Sequence, residues 1–305
     1  MTALFADRLT GALVGSALGD ALGMPVEGLS HQNVRSYYKG IKELRADEKR
    51  GDLQAGQVTA DTQRARALSR ALASAPADGP DAVREAFDAE LQAAGALRRP
   101  EVLPGGSAAA AACAAPLGVQ ARLRGLADLA VTRWAGRLLA PVDPSPAATV
   151  AAAAVIAALR EALAPVLVPN IGPHLLASAH RAALDAERLL AARPDVSDRL
   201  ARAATHLSAT PLDLQDACGG SGSAATEAPV FALAMVARAP ELVEATLLSA
   251  VNVGGDTSAV GSIVGALLGA LHGVDAFPAA WREALEDGDA LRTEAETLGE
   301  ALLGT

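Results

Sequence analysis

The chain has 305 residues, of which 51% are hydrophobic and 20% charged, a composition typical of folded proteins rather than of disordered ones. Its 35 acidic and 26 basic residues give a net charge of −9, which argues against binding to duplex nucleic acid. The two cysteines, Cys113 and Cys218, lack a CxxC partner, so we expect no disulfide scaffold, no cysteine-rich zinc site and a cytoplasmic location.

Apolar residues recur at intervals of three and four along the chain, and alternation with a period of two is almost absent. This pattern predicts an all-α fold. We expect one domain over residues 1–305, because no long linker of biased composition divides the chain. Proline and glycine separate the apolar segments and predict helices near 5–22, 59–75, 80–95, 107–116, 121–139, 147–163, 173–192, 197–207, 223–238, 241–251, 257–272 and 279–301.

Three apolar stretches of the sequence are either core helices or membrane-targeting segments. The N-terminal stretch is interrupted by Arg8 and Asp20 and does not have the pattern of a signal peptide. Residues 147–168 contain Arg160, and residues 259–274 number about 16, fewer than the ~20 that a bilayer requires. We therefore expect no membrane association and interpret these stretches as buried helices.

The first predicted helix carries a carboxylate on an inward face. Leu13, Ser16, Ala17 and Asp20 lie at i, i+3, i+4 and i+7, which places them on one side of the helix. The pattern predicts that Asp20 is buried, and a buried carboxylate needs hydrogen-bond partners or a bound cation. Either a capping role or a ligand role is consistent with this position.

Three glycine-rich loops, 105–107, 219–223 and 254–257, each lead directly into an apolar helix. Unpaired N–H groups and the positive end of the helix dipole make such loops candidates for binding phosphate or carboxylate groups. The alternative is that the glycines serve turns and close packing. Asp256, at the start of a helix, is interpreted either as an N-cap or as a ligand.

Other glycines and the histidines point to structure rather than to chemistry. Gly261, Gly265 and Gly269 form a smooth ridge along one predicted helix, which indicates close approach of a second helix. The five histidines form no HExxH pattern, and the 219–223 loop lacks the GxSxG spacing of a nucleophile elbow. The motifs of zinc hydrolases and serine hydrolases are therefore excluded.

Three segments taken together resemble the ADP-ribosylglycohydrolase family. Residues 8–28 resemble its opening helix and first loop, residues 56–62 resemble its Thr-Asp-Asp-Thr metal motif, and residues 250–270 resemble its closing Gly-Gly-Asp-Thr-Asp-Thr motif and following helix. The resemblance implies an orthogonal multi-helix bundle in a single compact domain. It also implies a cleft that holds two Mg²⁺ ions and cleaves the bond between ADP-ribose and a modified side chain or related acceptor.

The chain departs from this family pattern within the motifs. Thr59, Asp61, Asp256 and Glu27 match the family's site residues, whereas Ala60, Ser258 and Ala259 stand where the family has two aspartates and a threonine. Two missing carboxylates leave too little negative charge to hold two divalent cations close together. The family's polar segment before Ala-Pro-Leu-Gly is also replaced, by a run of alanines that ends at Cys113.

Two hypotheses follow from the resemblance. In the first, the chain is a hydrolase of the glycosidic bond in an ADP-ribose-containing small molecule or an ADP-ribosylated substrate. In the second, it is a catalytically impaired family member that binds ADP-ribose or another small ligand, or has a structural or interaction role.

The first hypothesis assigns a role to each matching residue. Glu27 and Asp61 are assigned catalytic roles. Thr59, Asp61 and Asp256 are the metal ligands, and we expect them to bind one Mg²⁺ ion or no ion. The predicted substrate-binding residues are the loop residues Gly219, Gly220, Ser221, Gly222, Gly254 and Gly255.

Overall fold

The computed structural model describes residues 3–47, 51, 53–75, 79–95, 106–166 and 168–304. Within these ranges the chain forms sixteen α-helices, two single turns of 3-10 helix and no β-strand, which confirms the predicted all-α bundle.

The helices are α1 (Ala3–Gly23), α2 (His31–Tyr38), α3 (Ala60–Ser74), α4 (Pro80–Ala93), α5 (Ala109–Ala112), α6 (Ala115–Leu123), α7 (Asp128–Leu138), α8 (Pro146–Ala162), α9 (Ile171–Leu190), α10 (Asp195–Ala204), α11 (Pro211–Cys218), α12 (Ala228–Arg238), α13 (Val243–Asn252), α14 (Thr257–His272), α15 (Ala279–Ala284) and α16 (Gly288–Leu303).

The most extensive helix contact joins α1 to α14, which run antiparallel along a glycine seam. A Cβ atom on Gly19 would overlap the carbonyl oxygen of Gly261, and a Cβ atom on Gly261 would overlap that of Gly19. The same approach of backbones repeats along the seam, where Gly11, Gly15, Gly19 and Gly23 face Gly269, Gly265, Gly261 and Thr257. The predicted glycine ridge on α14 is thus confirmed, and its partner is a matching ridge on α1.

The seam lies in the centre of the hydrophobic core. The segment Leu4–Val26 is long and apolar enough to cross a bilayer, but the whole apolar window is buried inside the protein, as in a core helix. Helices α8 and α14 are also almost entirely buried, which confirms their interpretation as core helices. Both cysteines are buried and unpaired.

The apolar periodicity does not predict two short helices, α2 and α11. Helix α2 buries only two side chains, too few to establish a repeat of three or four residues. Both helices nevertheless begin with recognisable caps. The Ser30 hydroxyl accepts a hydrogen bond from the Asn33 amide at 3.3 Å, and Thr210, followed by Pro211, accepts one from the Asp213 amide at 3.2 Å.

Three predicted helices are each divided in the structure. The predicted helix 107–116 is the short α5 followed by α6, which begins with a proline in its first turn. The predicted helix 121–139 ends and restarts around Gly125, whose positive φ of 62° is incompatible with a continuing helix. The predicted helix 279–301 is divided before Asp287, which adopts a φ of 57°.

Because the glycine seam leaves no space for a side chain, replacing one of its glycines with alanine should destabilise the protein, although alanine has the higher helix propensity. Gly19→Ala should favour an isolated helix by about 1 kcal/mol, yet its methyl group has no space beside Gly261. We therefore expect Gly19→Ala to lower the free energy of unfolding by about 1–3 kcal/mol, the usual cost of an overpacked core.

The matched control is Gly299→Ala in α16, where the new Cβ would lie 3.6 Å from Leu9 Cδ1, an ordinary contact. Urea unfolding followed by circular dichroism measures both variants, and Gly299→Ala is expected to be neutral or stabilising. If Gly19→Ala is as stable as Gly299→Ala, the helices do not require this close approach.

Candidate functional site

A cavity of about 320 Å³ opens where the C-terminal end of α1 meets the starts of α3 and α14. The segments 107–109 and 223 form its opposite wall. Its lining residues combine three carboxylates, one guanidinium and several small side chains: Glu27, Thr59, Ala60, Asp61, Arg64, Ser107, Ala108, Ala109, Ser223, Asp256 and Ser258. The structure therefore brings together Glu27, Asp61 and Asp256, which are far apart in the sequence.

Asp20 holds the start of α3 against α1 from beneath this cavity. Its carboxylate is fully buried and accepts four hydrogen bonds, from the amide and hydroxyl of Thr59 at 2.9 and 2.8 Å and from those of Thr62 at 3.3 and 2.6 Å. Burial raises the pKa of Asp20 to about 6, against the opposing effect of these hydrogen bonds. The prediction of a buried, hydrogen-bonded Asp20 is confirmed.

Asp61 lies in the first turn of α3 and forms an ion pair with Arg64 one turn later. The two side chains are buried, and Arg64 Nη1 lies 3.0 Å from Asp61 Oδ1. Burial, followed by repulsion from Asp20, raises the pKa of Asp61 to about 7, although the charge on Arg64 opposes the shift. Thr59 caps this helix, because its Oγ1 accepts the Asp61 amide at 3.2 Å.

Glu27 and Asp256 approach each other through Ser258. The Ser258 hydroxyl donates to Glu27 Oε2 at 2.7 Å and lies 3.4 Å from Asp256 Oδ1. Asp256 is the N-cap of α14, since Oδ1 accepts the Ala259 amide at 3.2 Å. Burial and the charges on Asp61 and Glu27 raise the pKa of Asp256 to about 7. The capping interpretation of Asp256 is thus confirmed, and its carboxylate also faces the cavity.

Ser221 joins the glycine-rich loop 219–223 to the glycine-rich loop 254–257. Its Oγ donates to the carbonyl oxygen of Gly254 at 2.7 Å, and its own carbonyl oxygen accepts the Asp256 amide at 2.7 Å. A Cβ atom on Gly255, which has a φ of 91°, would overlap the Ser221 carbonyl. These contacts fix the position from which Asp256 reaches the cavity.

The amides of the predicted substrate-binding glycines are engaged within the chain. Each donates to a carbonyl or carboxylate oxygen of the protein, and among the described residues of these loops it is Ser223 and Asp256 that line the cavity. The engaged amides are those of Gly219, Gly220, Gly222, Gly254 and Gly255, with acceptors at Asp216, Gln215, Glu227, Val251 and Leu29. Their observed role is to shape the loops, and their contact with a ligand stays a prediction.

Two contributors to the site were missed from the sequence. Asp143 accepts hydrogen bonds from the amide and hydroxyl of Ser107 at 2.6 and 2.9 Å and so anchors the far wall of the cavity. Arg64 was missed although its i, i+3 spacing from Asp61 is a signal for an ion pair. Gly105, from the first glycine-rich loop, lies outside the described residues.

The side chains present do not fit a pair of Mg²⁺ ions. Ala60 presents a methyl group both to this cavity and to an adjoining cavity of about 270 Å³, and Ala259 is fully buried in α14. The Ser258 hydroxyl is directed to Glu27, and Asp61 Oδ1 already has a guanidinium beside it. Among the described residues, no group of three or more His, Cys, Asp or Glu side chains is placed to hold one metal ion.

Comparison with known proteins agrees with the resemblance of the motifs. The model of the ADP-ribosylglycohydrolase family matches residues 1–305. A solved structure described as an ADP-ribosylglycohydrolase-related protein complex is similar with a TM-score of 0.73 and 25% identity, covering 99% of this chain and 100% of that one. A protein of Archaeoglobus fulgidus, described as uncharacterized, is 39% identical over 66 residues, which are 22% of this chain and 21% of that relative.

The hydrogen bonds of Asp20 predict a loss of stability on its neutralisation. Asp20→Asn places an NH₂ group opposite N–H and O–H donors of Thr59 and Thr62, so that at least one donor loses its acceptor. We expect a decrease of about 1–3 kcal/mol in the free energy of unfolding, measured by urea titration. Asp213→Asn, at an exposed helix start, is the control and should change stability by a few tenths of a kcal/mol. Equal stability of the two variants would contradict the assigned role.

The raised pKa of Asp256 predicts how stability depends on pH. The unfolded chain releases this proton near pH 4, whereas the folded protein holds it to about pH 7, so folding stability falls as pH rises across this interval. Asp256→Asn keeps a capping oxygen but cannot ionise. We expect the variant to become more stable than the wild type between pH 5 and 8, with a gain on the order of 1 kcal/mol at pH 8.

Urea unfolding at four pH values in the presence of a chelator measures this difference. Asp275→Asn, whose side chain is 78% exposed, is the control and should show no pH-dependent gain. A wild type that gains stability relative to Asp256→Asn as pH rises would contradict a raised pKa of Asp256.

Proposed function

Because the chain belongs to the ADP-ribosylglycohydrolase family, we propose that its cavity binds the ribose end of an ADP-ribosyl ligand and that the protein hydrolyses the glycosidic bond there. Family membership supports a hydrolase-like function. The observation that carries the finer proposal is the gathering of Glu27, Asp61 and Asp256 around one cavity. The proposed ligand is an ADP-ribose-containing small molecule or an ADP-ribosylated protein, and a cytoplasmic location stays a prediction.

Carboxyl groups in different protonation states are what glycosidic cleavage requires. One group protonates the leaving atom, and another activates water or stabilises positive charge at the anomeric carbon. Burial raises the pKa of both Asp61 and Asp256 to about 7, and the charge on Arg64 favours the ionised form of Asp61, so in the proposal Asp256 is the proton donor near neutral pH. In the proposal Glu27 orients and deprotonates the water, and Asp61, held by Arg64, stabilises the developing charge.

A second candidate function is binding of the same ligand without hydrolysis. It is favoured by the side chains at positions 60, 258 and 259, where the family motif has metal-ligating oxygens and this chain has Ala60, Ser258 and Ala259. The Ser258 hydroxyl also donates to Glu27 Oε2, which leaves one oxygen of this carboxylate to receive a proton from water. Under this alternative the protein recognises ADP-ribosyl groups and releases them unchanged.

Ligand binding and product release distinguish the two functions. Calorimetric titration with ADP-ribose measures binding, and chromatography measures ADP-ribose released from ADP-ribosyl-arginine and ADP-ribosyl-serine at high protein concentration. We expect binding together with release, and we expect Glu27→Gln to reduce the rate of release about 10²-fold or more with binding retained. Glu300→Gln, an exposed side chain on α16, is the matched control and should leave both unchanged.

Each remaining outcome decides between the proposals. Binding of ADP-ribose with no release from either substrate would support the second function and overturn the first. Release that is insensitive to Glu27→Gln would remove Glu27 from the mechanism. Absence of both binding and release would contradict both proposed functions for this cavity.

A further inference from the structure

The charge of the cavity is unevenly distributed. Three of its lining side chains, Glu27, Asp61 and Asp256, are acidic, and the buried Asp20 lies close enough to Asp61 to raise the pKa of that side chain. Among the described lining residues the one cationic side chain is Arg64. Burial strengthens the mutual repulsion of the carboxylates, since water is excluded from between them. A cluster of this kind requires a nearby positive charge or retained protons.

Arg64 is held in a fixed position within this cluster. Its side chain is buried and its Nη1 lies 3.0 Å from Asp61 Oδ1, one turn along the same helix. A planar guanidinium can form a directed hydrogen bond with a carboxylate while it supplies positive charge. The chain itself therefore supplies a positive charge beside Asp61, the carboxylate that remains in the first metal-motif segment.

Beside Asp61 there are also fewer side-chain oxygens available to bind a divalent cation. Ala60 presents a methyl group to the cavity, and the Ser258 hydroxyl is committed to Glu27. A divalent ion approaching Asp61 would also be repelled by the adjacent guanidinium. The missing oxygens and the positive charge of Arg64 both disfavour a bound metal, and they arise from different residues.

We infer that Arg64 takes the place of a divalent cation as the counter-charge of the cavity's carboxylates, so that the site is assembled without metal. The ligand's ribose hydroxyls then donate directly to the free oxygens of Glu27 and Asp256, a mode of recognition suited to a polyol. This assignment of the ligand rests on the proposed function, whereas the role of Arg64 as counter-charge does not.

Mn²⁺ alone is the probe for the inference, with binding followed by the electron paramagnetic resonance signal of free Mn²⁺ and by thermal unfolding. The wild type should show no saturable binding in the millimolar range and the same unfolding temperature in chelator and in Mn²⁺. Arg64→Gln removes the charge but keeps an amide that can donate to Asp61. We expect it to bind Mn²⁺ at least about tenfold more tightly than the wild type and to be stabilised by the ion.

Three further variants separate charge from packing. Arg64→Lys keeps the charge and should remain insensitive to Mn²⁺. Arg66→Gln lies on the same helix but breaks an ion pair with Glu294 outside the cavity, so it should lose stability without responding to Mn²⁺. Adding Ala60→Asp to Arg64→Gln should tighten Mn²⁺ binding further, whereas Ala60→Asp alone should have a smaller effect.

Saturable, tight binding of Mn²⁺ by the wild type would overturn the inference. The inference would also be overturned if the wild type, Arg64→Gln and the double variant Arg64→Gln/Ala60→Asp all bound Mn²⁺ equally weakly. Removal of the charge on Arg64 would then have no effect on metal binding. These measurements need no ADP-ribosyl ligand. A protein that neither binds nor hydrolyses ADP-ribosyl compounds would refute the proposed function and leave the result on Arg64 intact.

Discussion

The close approach of α1 and α14 is the constraint on which the cavity depends. The two helices meet backbone to backbone, because glycines face each other where any side chain would separate them. Since the helices are antiparallel, the end of α1 lies beside the start of α14. This contact brings Glu27 next to Ser258 and Asp256, residues more than two hundred positions apart. The packing of the core and the geometry of the site are therefore one arrangement.

Asp20 extends this arrangement to a third helix. Through Thr59 and Thr62 it fixes the start of α3, which carries both Asp61 and Arg64 to the cavity. A buried carboxylate is costly unless its oxygens are satisfied, and four hydrogen bonds satisfy this one. Asp61 and Asp256 have fewer donors and more acidic neighbours, and the pKa of each is about 7. Asp20 is thus satisfied by its hydrogen bonds, whereas Asp61 and Asp256 face the cavity, where burial and their acidic neighbours raise the pKa of each.

The family's fold and its site chemistry depend on different parts of the sequence. The fold requires apolar periodicity, glycines at the helix contact and loops of suitable length, and the family model covers the chain from residue 1 to residue 305. The chemistry depends on a few polar atoms. Ala60 stands where the family motif has an aspartate, yet the start of α3 is intact, because Thr59 and Asp20 still form that helix end. A family member can therefore retain the architecture while its site changes.

The sequence by itself determined the helical class, the glycine ridge of α14, the burial of Asp20 and the motif residues Glu27, Asp61 and Asp256, because these follow from local periodicity or from the resemblance of short segments. Only the tertiary structure decided that the glycines of α1 are the partners of that ridge, that Ser221 joins the two loops and that Arg64 lies among the carboxylates. Contacts between distant segments depend on how the helices pack, and no local pattern records that packing. The short α2 and the division of the helix at Gly125 were likewise decided by a cap and a single backbone angle, which carry little weight in a search for repeats.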